Sequence, residues 1–320
     1  MWMSSLWRLV KFVVASALVV LSLQFILSVL TGTRVRTPPL TAEEHRLISP
    51  RTYEYLHNQP YVCQVRSPFL LLLVPVAPWE VAARHAVRGT WGSSGEDAMT
   101  LFFMGLSANE PQASLLQQSL QKEIKRHRDV IQMNFVDSYQ NLTIKTLMMM
   151  NWVASHCPNA SYAMKVDADI FVNVFYLLAY LRGSPRTSFI TGSVIRDGRP
   201  RRDPNSKWYL SEEQYPGDSF PPYVSGAGYV FSTELAAQIV QASRFVRVIP
   251  MEDVYVGLCL QVLGVRPMYA LSFLTLRNLF EIRKLEYDRC TFTRLLIANN
   301  FRPSELLQVW QDFSKSHADC

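Results

Sequence analysis

The stretch YAMKVDADIFVN, residues 162–173, decides how the chain reads. Tyr162 to Val166 has the character of a buried strand, and it ends at Asp167 and Asp169, set either side of one alanine. The apolar Ile170, Phe171 and Val172 follow. A lone acidic triplet reads as a solvated turn. A buried strand leading in and an apolar segment leading out change that reading. In open α/β sheets, ligands bind beyond the carboxyl ends of the strands, which is where these two carboxylates fall.

The surrounding sequence supplies such a sheet. Apolar runs at 68–76, 99–106, 130–136 and 162–166 predict strands. Helical patterns fill 79–91, 112–128, 142–156 and 170–181. Strand and helix alternate, which predicts an α/β domain with a mostly parallel sheet covered by helices. Burial on both faces explains why the strands are continuous apolar runs rather than alternating ones.

Ionised aspartates are hard oxygen ligands suited to Mg²⁺ or Mn²⁺, and no Cys/His spacing resembles a zinc site. Three chemistries use such a pair. A phosphate-cradling loop needs Gly-x4-Gly-Lys-Ser/Thr, which the sequence lacks. An aspartyl phosphatase would carry threonine or valine where Phe171 stands. A nucleotide-sugar transferase needs basic residues for the diphosphate and a separate carboxylate as base. Arg84, Arg88 and Lys145 supply the first, and Glu252 with Asp253, opening a helix in IPMEDVYVGLCL, supply the second.

Composition sets the setting. With 320 residues, 49% of them hydrophobic, the chain can bury a sizeable core. Its net charge of +6 is scattered, without a long Lys/Arg block, which argues against nucleic acid as a partner. Residues 12–33 carry no charge. As a helix they would reach about 33 Å, enough for a bilayer core of about 30 Å. The expected organisation is a short tail at 1–11, a transmembrane signal-anchor at 12–33, a polar, proline-bearing stem at 34–66 and a catalytic domain at 67–320. Five cysteines and the sequons at Asn141 and Asn159 suit an oxidising, glycosylating lumen. The expected disulfides are Cys63–Cys157 and Cys259–Cys290 with Cys320 left over, although sequence alone does not fix the pairing.

Six blocks, in order, give the chain a family likeness: RHAVRGTWG (84–92), NFVDSYQNLTIKT (134–146), YAMKVDADIFVN (162–173), NSKWYL (205–210), YVSGAGYVFS (223–232) and EDVYVG (252–257). They resemble the β-1,3-galactosyltransferase-like glycosyltransferases of family 31, over roughly 67–265. The resemblance implies a GT-A fold, a UDP-sugar donor, Mn²⁺, and a single-pass type II protein of the Golgi membrane with a lumenal catalytic domain. The preferred donor is UDP-galactose, and the acceptor is a glycan on a glycoprotein or glycolipid. Asp169 would ligate the metal, with Asp167 at the metal or the ribose. Arg84 and Arg88 would hold the nucleotide, while Asp137 and Lys145 line the donor pocket. Ser225, Gly226 and Gly228 would form a close-packed loop near the sugar. Trp208, Tyr209 and Glu252 would meet the substrate. Asp253 would act as the general base of an inverting, single-displacement transfer.

The sequence departs from the family at two places. Asparagine stands around Asn299, where many relatives carry a metal-binding histidine, and Val224 replaces a common cysteine. His317 reads as a solvated tail residue. Met148–Met150 and Trp91, Trp152 and Trp310 read as packing. Arg199, Arg201 and Arg202 read as a solvated loop, or as a surface for an acidic acceptor. The alternatives are a β-1,3 transferase for N-acetylglucosamine or N-acetylgalactosamine, and a catalytically weakened glycan-binding relative.

Overall fold

The computed structural model describes residues 39–65, 67–93, 95–108, 110–273 and 286–315, together with Ser16. Residues 38–320 cluster as one compact unit, distinct from residues 1–37. The proposed anchor at 12–33 thus lies, apart from Ser16, outside the described residues. Among the described residues, no helix is long and apolar enough to cross a membrane.

Among the described residues, ten strands form: β1 (Tyr55–His57), β2 (Leu70–Pro75), β3 (Ala98–Leu106), β4 (Val130–Val136), β5 (Tyr162–Val166), β6 (Phe171–Val172), β7 (Ile190–Ile195), β8 (Tyr223–Ser232), β9 (Met268–Tyr269) and β10 (Ile297–Ala298). Eight of them build one sheet in the order β1-β4-β3-β2-β5-β8-β7-β9. The central β4-β3-β2-β5 pairings are parallel, whereas β8 runs antiparallel to both β5 and β7. The sheet is therefore mixed, with a parallel half and an antiparallel flank.

Successive side chains of β2 leave the sheet on opposite faces, as the period-2 pleat requires. Leu71 and Leu73 join one core with helices α3 (Leu142–His156), α5 (Glu234–Ala242) and α6 (Glu252–Leu263). Leu70, Leu72 and Val74 join the other with α1 (Val81–Arg88), α2 (Glu110–His127), α4 (Val174–Arg182) and α7 (Pro303–Phe313). Leu70 to Val74 are all fully buried, each contributing about 1.5–3 kcal/mol of apolar transfer. Met148, Met149, Met150, Trp91 and Trp152 are buried in these cores, and Trp310 packs against one.

Three expectations change. The helix expected from Ile170 begins at Val174 instead. Phe171 and Val172 are a strand because they pair antiparallel with Val172↔Ile297 and Phe171↔Ala298. Asn173 then caps the helix, its Oδ1 accepting the Tyr176 N–H at 3.0 Å. The expected stem also changes: over 39–65 it packs on the domain. Ile48 is fully buried, β1 pairs with β4, and Asn58 Oδ1 accepts the Trp152 indole N–H at 2.7 Å. Finally, Cys63 pairs with Cys157 as expected, but Cys259 is free and buried while Cys290 is itself disulfide-bonded. Cys259 is fully buried in the apolar core on α6.

Candidate active site

The carboxyl end of β5 and the amino end of α6 meet over Lys165. Its side chain is buried inside an apolar strand, which leaves its ammonium in need of partners. Nζ lies 2.7 Å from Asp167 Oδ1 and 3.0 Å from Glu252 Oε1, and it also donates to the Gly226 carbonyl. Burial works against the charge, but Asp167 and Glu252 outweigh it, so the ammonium holds its proton more firmly than an ordinary lysine. Glu252 Oε2 in turn accepts from Tyr229 Oη at 3.1 Å and Thr146 Oγ1 at 3.3 Å. Burial pushes Glu252 up to about 7, against the pull of Lys165 and with the repulsion of Asp253.

Asp253 sits in the first turn of α6, where the helix dipole favours a carboxylate. Its Oδ2 accepts the Gly226 N–H at 3.0 Å and its Oδ1 the Val254 N–H at 2.9 Å. Gly226 therefore binds both ends of the cluster, its carbonyl to Lys165 and its amide to Asp253. A Cβ at 226 would lie 2.8 Å from Glu252 Oε1 and 3.3 Å from Asp253 Oδ2. The residue must be glycine because two acidic side chains occupy the space a methyl would fill.

Asp167 is anchored by its own N–H to the Ala227 carbonyl at 3.1 Å, and its side chain is partly exposed. Asp169 is exposed. Crowding by protein atoms and then the Asp167 carboxylate raise its pKa. The turn between them and β6 is held from behind, where Trp91 Nε1 donates to the Ile170 carbonyl at 2.8 Å. Pairing of β6 with β10 brings 299–301 alongside, and Phe301 N–H donates to the Asp169 carbonyl at 2.9 Å. Asn299 follows β10, and its buried Oδ1 has no hydrogen-bond partner. Among the described residues, no group of three or more His, Cys, Asp or Glu is placed to hold a metal. Two carboxylates and one unsatisfied amide oxygen are the donor set at this end of the sheet, and all of them are hard oxygens suited to a divalent cation such as Mg²⁺ or Mn²⁺.

The other expected site residues divide. Asp137 and Lys145 form a buried pair at 2.7 Å, with Asp137 also accepting the Gly105 N–H and Lys145 donating to the Val76 carbonyl. They fasten the ends of β2, β3 and β4 to α3 rather than presenting a surface. Arg84, expected to hold a nucleotide, is fully buried; it grips Glu123 at 2.7 Å and the carbonyls of Ala77 and Pro78. Arg88 is paired with Glu123 and Asp129, both at 2.7 Å. Both guanidiniums bind α1 to α2, and Arg88 also binds it to the chain before β4, because carboxylates from those elements neutralise them. Ser225, Gly226 and Gly228 lie in strand β8, not in a loop. Gly228 is close-packed there: a Cβ would sit 3.2 Å from Met164 Cε. Glu252, expected to meet the substrate, is buried and held by Lys165, Tyr229 and Thr146. Trp208 and Tyr209 are exposed on the long connection before β8, where the neighbouring Lys207 ammonium stands 4.5 Å from the Tyr139 ring centroid. Asn141 is partly committed, its amide donating to the Val136 carbonyl at 2.8 Å, whereas Asn159 is exposed.

Sequence reasoning missed Lys165, Tyr229 and Thr146. Lys165 left a signal, since a lysine inside an apolar strand demands a buried counter-charge.

An open cleft of about 540 Å³ lies at the carboxyl ends of β2 and β3, lined by residues that include Pro78, Leu106, Ser107 and Gln117. Its position and the acidic cluster share one end of the sheet.

Comparison with known proteins converges on the same stretches. Residues 82–270 match the family described as Galactosyltransferase. Beta-1,3-galactosyltransferase 1 of Mus musculus is 40% identical over 283 residues, which are 86% of this chain and 83% of that protein. Beta-1,3-galactosyltransferase 2 of Mus musculus is 39% identical over 276 residues, 84% of this chain; the match spans only 64% of that longer protein. Among solved structures, the galactosyltransferase LgtC, in complex with donor and acceptor sugar analogues, overlaps 78% of this chain and 98% of its own at 9% identity and a TM-score of 0.40, a likeness too low to argue from. The matched family segment, residues 82–270, contains the paired aspartates, Gly226 and Asp253, and the chain belongs to the galactosyltransferase family, alongside the β-1,3-galactosyltransferases.

Proposed function

We propose that the chain is an inverting glycosyltransferase of GT-A type, moving galactose from UDP-galactose to a hydroxyl of an acceptor glycan in β-1,3 linkage. The observation that carries this reading is one continuous network: Asp167 to Lys165 at 2.7 Å, Lys165 to Gly226 and Glu252, and Gly226 to Asp253 at 3.0 Å. It holds two separate carboxylate stations at the sheet end where ligands of such folds bind.

In this reading the nucleotide occupies the cleft at the ends of β2 and β3, with its diphosphate toward Asp167 and Asp169. These aspartates and Asn299 would hold Mn²⁺, which when bound neutralises charge on the departing diphosphate. Asp253 takes the proton from the attacking hydroxyl, work for which a positioned base contributes about 10²–10⁴-fold. The Gly226 and Val254 N–H groups fix its carboxylate, so its orientation is set before the acceptor arrives. Because the donor is α-linked and the product β-linked, a single displacement with one base suffices. Trp208 and Tyr209 offer exposed aromatic faces for a sugar. A signal-anchor at 12–33 would place this domain in the Golgi lumen, with Asn159 available to a glycan.

The test is turnover of UDP-galactose by purified protein against β-GlcNAc- and β-GalNAc-terminated acceptors, with and without Mn²⁺. Asp253→Asn should bind UDP and lose transfer. Undiminished transfer by that variant would overturn the reading, and turnover only of UDP-N-acetylhexosamines would replace galactose as the donor sugar.

A further inference from the structure

A second cleft, of about 460 Å³, opens on the antiparallel flank and is lined by Val194, Ile195, Arg196, Asp197 and Tyr269. Its place follows from the topology. β8 runs antiparallel to β5, β7 runs antiparallel to β8, and β9 runs parallel to β7. The carboxyl ends of β7 and β9 therefore point to the same end of the sheet as Asp167. Val194 pairs with Val224 on β8, two residues from the Gly226 that binds Asp253. The order β5-β8-β7-β9 thus sets β8, which holds Asp253 through Gly226, between the strand that ends at the two aspartates and the strand that lines this cleft.

Tyr223 ties the segment after the cleft lining to the helix that carries Asp253. Tyr223 is wedged between Gly198, where a Cβ would meet its Cε1 at 2.7 Å, and Gly257 of α6, where a Cβ would meet its Cβ at 2.6 Å. Two glycines make room for one tyrosine, Gly198 for its ring and Gly257 for its Cβ, so Tyr223 packs between the segment after Asp197 and α6. A register shift between Gly192 and Val194 bends β7 just before the lining residues, as bulges beside functional sites do.

The lining has the chemistry of a sugar site. Tyr269 is about half exposed and presents an aromatic face to the C–H face of a pyranose. Arg196 and Asp197 are exposed, and among the described residues neither has an ion pair or a side-chain hydrogen bond. A guanidinium donor beside a carboxylate acceptor matches the paired donors and acceptors of vicinal hydroxyls. Val194 and Ile195 supply an apolar floor.

We propose that this cleft is the acceptor subsite, holding the glycan residue that precedes the one receiving galactose. The proposal rests on the transferase reading above. Tyr269 stacks on the ring, and Asp197 and Arg196 bind its hydroxyls. The test compares a β-GlcNAc-terminated disaccharide with methyl β-GlcNAc as acceptors. In Tyr269→Ala and Asp197→Asn, KM for the disaccharide should rise about tenfold, the loss expected of a stacking contact or a hydrogen bond to a charged group. KM for methyl β-GlcNAc and for UDP-galactose should stay the same, and Tyr269→Phe should restore the disaccharide value. An unchanged disaccharide KM in both variants, or an equal rise for both acceptors, overturns the proposal. Donor-only release of UDP by the wild type reports separately on the transferase reading. If that is absent, saturation transfer from the protein to the disaccharide still decides: signal lost in Tyr269→Ala supports the cleft, and no signal with wild type refutes it.

Discussion

Lys165 and Glu252 form an ion pair of 3.0 Å between the penultimate residue of β5 and the first residue of α6, with almost no exposure of either side chain. Through this pair the strand that ends at the paired aspartates and the helix that starts with the base candidate are one unit. Removing a single partner from a buried pair leaves an uncompensated charge, at a cost of about 3–5 kcal/mol. Lys165→Met should lose about that much stability in urea unfolding. Lys165→Met combined with Glu252→Gln should recover a good part of it, because the orphaned carboxylate is gone. Additive losses in the double variant would show that the two side chains are not coupled.

Gly226→Ala tests the geometry rather than the charge. The added methyl must enter space within 2.8 Å of Glu252 Oε1 and 3.3 Å of Asp253 Oδ2. Asp253 should shift, and transfer should fall by at least about tenfold, the factor that 1.4 kcal/mol of misplacement produces. A variant with wild-type kcat would show that the carboxylate does not need this seat.

The pH dependence of stability follows from Glu252. Its folded pKa is raised by burial from 4.5 to about 7. Between these values the folded chain binds a proton that the unfolded chain has released, so stability falls as pH rises through that window. Urea midpoints measured near pH 5 and pH 8 should drop more for wild type than for Glu252→Gln. Parallel drops would remove Glu252 as the source.

Metal binding has a readout independent of turnover. If the Asp167–Asp169 end takes Mn²⁺, the ion should raise Tm by a shift that grows with the logarithm of its concentration once that exceeds Kd, and a chelator should reverse the rise. Asp169→Ala should abolish the shift while keeping the metal-free Tm, since its side chain is exposed. A wild type insensitive to Mn²⁺ would refute the assignment.

Glycan occupancy should also divide the two sequons. The Asn141 amide is used by the Val136 carbonyl at 2.8 Å, while Asn159 is exposed. Protein from a glycosylating host should carry its glycan on Asn159, read as loss of the mass increment in Asn159→Gln.

Sequence by itself determined the elements and their order. β4, β5 and α3 occupy the predicted 130–136, 162–166 and 142–156, because apolar runs and their period are written in consecutive residues. It also set Asp167 and Asp169 at the carboxyl end of a strand, a matter of neighbours in the chain. Tertiary structure alone decided the rest. Phe171 and Val172 are strand only because Ile297 and Ala298 reach them. Cys290 is bridged and Cys259 is not, because the fold buries the Cys259 thiol in the core on α6. Arg84, Arg88 and Glu252 carry charges that look available for a ligand in the sequence. In the fold, Glu123, Asp129 and Lys165 neutralise them. A buried charge must find its counter-charge wherever the chain brings one, and that partner lies at no fixed spacing along the sequence.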